Sequence, residues 1–165
     1  MIVIVCGVAG VGKTTIGRLL AQELGWEFYD ADDFHPSANI EKMKAGIPLT
    51  DEDRWPWLDR LQQQIKRCLT AQENAVVACS ALKRAYRDCL RVSDEVHFVF
   101  LRASRARVSE HLQERRGHFM PPALLDSQFT DLEEPQADEH ALMVDVEGLP
   151  HDVTSLIKTK LSLQK

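Results

Sequence analysis

No apolar stretch in these 165 residues approaches the roughly 18 needed to cross a bilayer. The short apolar start, Met1 to Cys6, lacks a basic flank, is too short for a signal core and runs into a glycine loop, so it reads as a buried strand. The four cysteines (Cys6, Cys68, Cys79 and Cys89) form no CxxC pair and follow no metal-site spacing. They are expected as reduced thiols in a cytoplasmic protein. Basic residues are in deficit, 20 against 25 acidic, for a net charge of −5. That excludes a uniformly basic nucleic-acid binder and a basic membrane-surface helix, so the expectation is no nucleic acid and no membrane. Internal repeats, low-complexity tracts and linker-like segments are also missing. What remains, 44 % hydrophobic and 27 % charged residues, fits one globular domain over residues 1–165.

Strand-like and helix-like segments alternate along the chain. Ile2–Cys6, Trp26–Tyr29, Ala75–Cys79, Val96–Leu101 and Leu142–Val146 read as strands. Between them, Ile16, Leu19, Leu20 and Leu24 recur at helical spacing, with Gly25 placed to end the helix. Ser37–Ala45 predicts a short helix. Pro56 fits the first turn of a longer one carrying Trp57, Leu58, Leu61, Ile65 and Leu69. Ser80 is a plausible N-cap for a helix through Leu90. Helices are further predicted from about 104 to 114, over 122–129 and at the C-terminus. This alternation predicts an α/β protein with a parallel sheet and right-handed crossovers. In such sheets ligands sit beyond the carboxyl ends of the strands.

The first of those strand ends carries Gly7, Val8, Ala9, Gly10, Val11, Gly12, Lys13, Thr14 and Thr15, a complete G-x-x-x-x-G-K-[ST] motif between strand and helix. Its backbone amides and the following helix dipole form a phosphate cradle. Lys13 can reach the β- and γ-phosphates, and Thr14 can offer its hydroxyl to Mg²⁺. ATP and Mg²⁺ are therefore the expected cofactors. A guanine-specificity N-K-x-D loop is missing, and the D-x-x-G at Asp145–Gly148 comes too late to be a GTPase switch. The third strand ends in Cys79-Ser80 rather than in a Walker-B acid. Metal binding would then rest on Thr14 and on the acids after the second strand, Asp30 and Asp32. Strand alternation could aim both at the phosphate loop. One can hold Mg²⁺ through water, and the other can accept a substrate hydroxyl's proton.

Several further blocks are distinctive. They are Asp30-Ala-Asp32-Asp33-Phe34-His35-Pro36 with Asn39, then Pro48-Leu49-Thr50-Asp51-Glu52-Asp53-Arg54. After them come Cys79-Ser80-Ala81-Leu82-Lys83-Arg84 with Tyr86-Arg87, Gly117-His118-Phe119-Met120-Pro121, and Ser127-Gln128-Phe129. Over about residues 7 to 135 the chain resembles the gluconate kinases, small ATP-dependent sugar-acid kinases. The resemblance implies a three-layer P-loop kinase fold of the nucleoside-monophosphate-kinase type. That fold has a five-stranded parallel sheet of order 2-3-1-4-5 flanked by helices. It implies a helical substrate-binding region at about 31–72, a lid at about 115–122 and, commonly, a homodimer. The implied reaction is ATP plus D-gluconate giving ADP plus 6-phospho-D-gluconate, a step that feeds sugar-acid catabolism.

The substrate, a polyol with a carboxylate, needs hydroxyl acceptors and a cation. The resemblance makes Asp32 the contact to the 6-hydroxyl, with Asp30 and Thr14 on the metal side. His35 can hydrogen-bond a hydroxyl or cap the next turn. Arg54 and Arg87 suit a carboxylate through bidentate guanidinium geometry, and Lys83 can act as a point charge. Lys83 and Arg87, four apart, would share a helix face. Asp53 can hold Arg54, accept a substrate hydroxyl, or close a capping box with Thr50. Arg115 matches a lid arginine that stabilises the transferring phosphate, and His118 of the same block is implied as a substrate contact. Adenine is expected near residues 147–150. The catalytic set is thus Lys13, Asp32 and Arg115. Two rivals stand beside this reading: a kinase of another small hydroxy acid such as shikimate, and a non-catalytic ATP sensor. Residues 83–116 hold nine basic against five acidic side chains, a positive strip suited to two anionic substrates.

Overall fold

The structure is a computed structural model and describes residues 1–114 and 122–164. Strand β1 (Ile2–Cys6) is wholly buried and pairs in parallel with β3 (Ala75–Ala78) on one side and β4 (Val96–Arg102) on the other. β2 (Glu27–Asp30) and β5 (Leu142–Asp145) form the edges, giving the parallel order β2-β3-β1-β4-β5. This is the order the family resemblance implies. β1 is continuously apolar because both faces of the sheet are covered. Its residues alternate: Val3 and Val5 join one core cluster, and Ile2, Ile4 and Cys6 join the other.

The first face is covered by α1 (Lys13–Leu24) and α7 (Pro150–Lys160), through Ile16, Leu20, Leu24, Val153 and Ile157. The second is covered by α3 (Asp51–Thr70) and α4 (Arg84–Leu90), through Trp57, Leu58, Leu61, Ile65, Tyr86 and Leu90. Each such apolar side chain, fully buried, contributes about 1.5–3 kcal/mol. The described residues also form α2 (Ser37–Lys44), α5 (Arg105–Glu114) and α6 (Pro122–Asp131). Among the described residues no helix is long and apolar enough to cross a membrane. All four cysteines are free, and burial pushes the Cys6 thiol up to about 12, which leaves it protonated and inert.

Two helix starts differ from the sequence reading. α3 begins five residues before Pro56, because Thr50 and Asp53 close a capping box: Asp53 N–H donates to Thr50 Oγ1 (3.3 Å) and Thr50 N–H to Asp53 Oδ2 (3.0 Å). Pro56 is tolerated inside the helix at the loss of one backbone hydrogen bond. α4 begins after Lys83 rather than after Ser80. Residues 79–83 stay out of the helix, with Ala81 left-handed at φ 40°. Their carbonyls are engaged elsewhere: Gly7 N–H donates to Ser80, and Arg87 Nη1 donates to Ala81 and Leu82. A short 3-10 turn over Ala137–Glu139, unforeseen in the sequence, supplies Glu139 to the core.

Candidate active site

The carboxyl ends of β1, β2 and β3 open into a cleft of about 310 Å³. The phosphate loop forms one wall. Val8 and Val11 bury their side chains in the core, which anchors the loop. Gly7 has φ +137°, and a Cβ there would lie 2.6 Å from the Leu101 carbonyl oxygen. At Gly10, a Cβ would meet Leu112 of α5 at 2.7 Å. Lys13 folds back so that Nζ donates to the Val8 carbonyl (2.9 Å), at the floor of the cleft. Burial lowers its pKa against the opposing pull of Asp32.

Asp30 and Asp32 both line this cleft, though not by strand alternation. β2 ends at Asp30, and a 3-10 turn over Ala31–Phe34 follows. Asp30 Oδ1 caps that turn by accepting from Asp32 N–H (3.1 Å), while its Oδ2 accepts from the Thr14 hydroxyl (3.1 Å). Asp32 is left with its carboxylate 83 % exposed within the cleft. Its surface is open to solvent, but the protein around it displaces part of the surrounding water; that partial desolvation, then the neighbouring Asp30 charge, raises its pKa against Lys13.

His35 is buried and stacks on Trp57, with ring centroids 4.4 Å apart. Burial, then the charge of Arg54, lowers its pKa from 6.5 to about 4, so the ring is neutral at pH 7. The unfolded chain therefore binds one more proton than the fold between about pH 6.5 and 4, and stability falls as pH falls through that window. The difference is on the order of 3 kcal/mol. Unfolding midpoints followed from pH 7 to 4 should drop less steeply in His35→Gln than in the parent; identical slopes would refute this.

The three cations proposed for a substrate carboxylate fare differently. Arg54 lines the cleft, and its Nη1 is held by Tyr86 Oη (3.0 Å) and Asp131 Oδ2 (2.8 Å). Its Nε and Nη2 have no hydrogen-bond partner among the described residues. Lys83 instead pairs with Asp51 (2.8 Å), itself hydrogen-bonded by Tyr86, and stands 3.9 Å from Asp131. Arg87 needs a correction. It is 0 % exposed and locked in a bidentate pair with Glu139 (2.6 and 2.9 Å), with its Nη1 on two carbonyls. A guanidinium so enclosed cannot take a substrate carboxylate; it fixes the loop before α4. Removing one partner strands a buried charge, so Glu139→Ala should cost about 3–5 kcal/mol in urea unfolding. A loss below about 1 kcal/mol would contradict the pairing. Asp53 is likewise committed, to the capping box and to Lys42 Nζ (2.7 Å), and it does not hold Arg54. Arg115 and His118 lie outside the described residues.

The positive strip is largely neutralised. Arg84 pairs with Asp138, Arg102 with Asp145 and Arg105 with Asp126. Arg107 differs: its Nε is buried without a hydrogen-bond partner among the described residues. It borders a second cavity, of about 280 Å³, adjoining Gly10–Gly12 and walled by His111, Val146, Gly148 and Pro150. Sequence reasoning placed a nucleotide base near 147–150 but missed Arg107, which in α5 reads as one more surface arginine. It also missed Gln128 of α6, whose Oε1 accepts from Ala9 N–H (2.6 Å) and so ties α6 to the phosphate loop.

The oxygen donors Thr14 and Asp30 suit a hard divalent cation. Among the described residues there is no cluster of three or more His, Cys, Asp or Glu able to hold a metal. A Mg²⁺ ion here would therefore draw its remaining ligands from phosphate and water.

The shikimate kinase family model matches residues 9–147. The thermosensitive gluconokinase of Escherichia coli K12 is 46 % identical over 155 residues, covering 93 % of this chain and 81 % of the relative. Among solved structures, an unliganded sugar kinase from Janibacter sp. HTCC2649 superposes with a TM-score of 0.92 at 42 % identity, over 98 % of this chain and 94 % of that one. A gluconokinase from Sinorhizobium meliloti 1021 gives 0.83 at 40 % identity, over 99 % and 96 %. Residues 9–15 of the phosphate loop, the strand-end acids and Arg54 lie within the span matched by the family model, and the chain belongs to the gluconokinase family.

Proposed function

We propose that the chain is one kinase domain that transfers the γ-phosphoryl group of ATP to the 6-hydroxyl of D-gluconate. The observation that carries this reading is the union, in one cleft, of a phosphate loop, an exposed carboxylate with a raised pKa, and a guanidinium whose Nε and Nη2 have no hydrogen-bond partner among the described residues. Arg54 binds the substrate carboxylate, and the 31–72 region forms the sugar-acid side. That orientation brings the far end of the polyol to Asp32. The 6-oxygen attacks the γ-phosphorus in line, its proton passes to Asp32, and the bond to the β–γ bridging oxygen breaks to release ADP. Lys13 and the loop amides stabilise charge on the phosphoryl oxygens. Thr14 and Asp30 would hold a Mg²⁺ ion, which would supply charge neutralisation to the phosphates during transfer. The base of ATP occupies the cavity beside Arg107 and Pro150, and Arg115 and His118 act from the segment after α5.

This reading includes the homodimer that the resemblance implies and the cytoplasmic setting expected from reduced thiols. ADP release measured against D-gluconate, other sugar acids, shikimate and nucleoside monophosphates tests it. Turnover should be highest with D-gluconate and at background with shikimate and nucleotides. Preference for shikimate, or ATP binding without turnover, would overturn it.

A further inference from the structure

We propose that Asn39 is a positioning residue: it holds His35 as the Nε2–H tautomer, so that the ring donates to the substrate hydroxyl whose proton Asp32 accepts. This deepens the reading above and rests on it for the identity of the hydroxyl.

The orientation of one buried amide is fixed by its partners. Asn39 is 3 % exposed, and its Nδ2 lies 2.8 Å from the Asp53 carbonyl oxygen. A carbonyl oxygen only accepts, so the atom facing it must be the amide nitrogen. The same Nδ2 lies 3.2 Å from His35 Nδ1. With one hydrogen on Asp53, the other points at Nδ1, which must present its lone pair. A neutral imidazole carrying a lone pair on Nδ1 carries its proton on Nε2.

A half-turn of the ring would set a C–H against Asn39 Nδ2 and forfeit that hydrogen bond, and intermediate angles are closed by the stack. The ring is stacked on Trp57 with an interplanar angle of 13°, and Trp57 is itself fixed by its Nε1–H donating to the Ala31 carbonyl (2.7 Å). His35 lines the cleft, and its Nε2 lies 4.0 Å from Asp32 Oδ1. That is too long for a direct hydrogen bond. It is right for one oxygen sitting at ordinary hydrogen-bond distance from both. Such an oxygen must accept from Nε2–H and donate to the carboxylate, which is what an alcohol does. The other tautomer would set two acceptors against one hydroxyl proton and leave its direction undetermined. In the step itself His35 keeps its proton; the hydroxyl proton goes to Asp32 as oxygen attacks phosphorus.

Two measurements test this. In the ligand-free protein, ¹⁵N–¹H correlation of the imidazole nitrogens, with His35 assigned by its disappearance in His35→Gln, should show the Nε2–H tautomer. This does not depend on what the substrate is. A proton on Nδ1, or on both nitrogens at pH 7.5, would overturn the proposal. In kinetics, Asn39→Ala should lower kcat about tenfold with the KM for ATP unchanged. The same substitution in a His35→Gln background should cost less than about twofold, because a glutamine donor has no tautomer to set. Equal losses in the two backgrounds, or an unchanged kcat in Asn39→Ala, would overturn it. If D-gluconate proved not to be the substrate, the spectrum would still decide the tautomer.

Discussion

Replacing Lys13 by alanine is expected to lower kcat by at least about a thousandfold, with the fold intact. The loop needs no lysine side chain to hold its shape. Val8 and Val11 anchor it in the core, and Ile16 N–H closes on the Gly12 carbonyl at 2.9 Å. The ammonium's contact with the Val8 carbonyl (2.9 Å) keeps it at the cleft floor, on the side from which phosphoryl oxygens would approach. Charge developing on those oxygens in transfer would then lose its nearest cation. Arginine should not rescue, because a planar fork does not fit where a compact ammonium lies against the Val8 carbonyl. Single-turnover kinetics with thermal unfolding as a control measures this. A kcat within tenfold of the parent would mean that Lys13 does not act on the transferring group.

Asp32→Asn should lower kcat by roughly a thousandfold while the KM for ATP changes little, because general-base assistance is lost and phosphate contacts remain. The pH dependence carries a further signature. Partial desolvation in the cleft and the charge of Asp30 raise the Asp32 pKa. A base works only when deprotonated, so activity falls as pH falls through that raised value. The acid limb of kcat/KM should therefore lie above the ordinary carboxylate range and should vanish in Asp32→Asn. If the variant instead loses ATP binding with kcat preserved, Asp32 belongs to the metal side, and Asp30 becomes the candidate base.

The legible parts of this protein are those encoded locally. Gly25 ends α1 in the left-handed conformation at φ 70°, as its place after an apolar helix face predicts. The phosphate loop is read from nine consecutive residues, and the continuous apolar run of β1 announces a strand covered on both faces. The misreadings concern partners distant in sequence. Arg87 looks like a substrate cation because Glu139, 52 residues later in an unforeseen 3-10 turn, is invisible at the level of spacing. Lys83 looks available until Asp51 and Asp131 are brought to it. Pro56 misplaces the start of α3 because a proline competes as a signal with the weaker Thr50–Asp53 capping pattern. Asn39, buried and doubly engaged, appears in sequence only as a residue of a family block, with nothing to say that it sets a tautomer.

The ³¹P spectrum of the reaction product shows which oxygen receives the phosphoryl group. Incubation with ATP, Mg²⁺ and D-gluconate should yield a phosphomonoester resonance split into a triplet by the two hydrogens of C6, growing in step with ADP. A doublet, which marks transfer to a secondary carbinol, or ADP formed with only inorganic phosphate beside it, would contradict transfer to the 6-hydroxyl in this cleft.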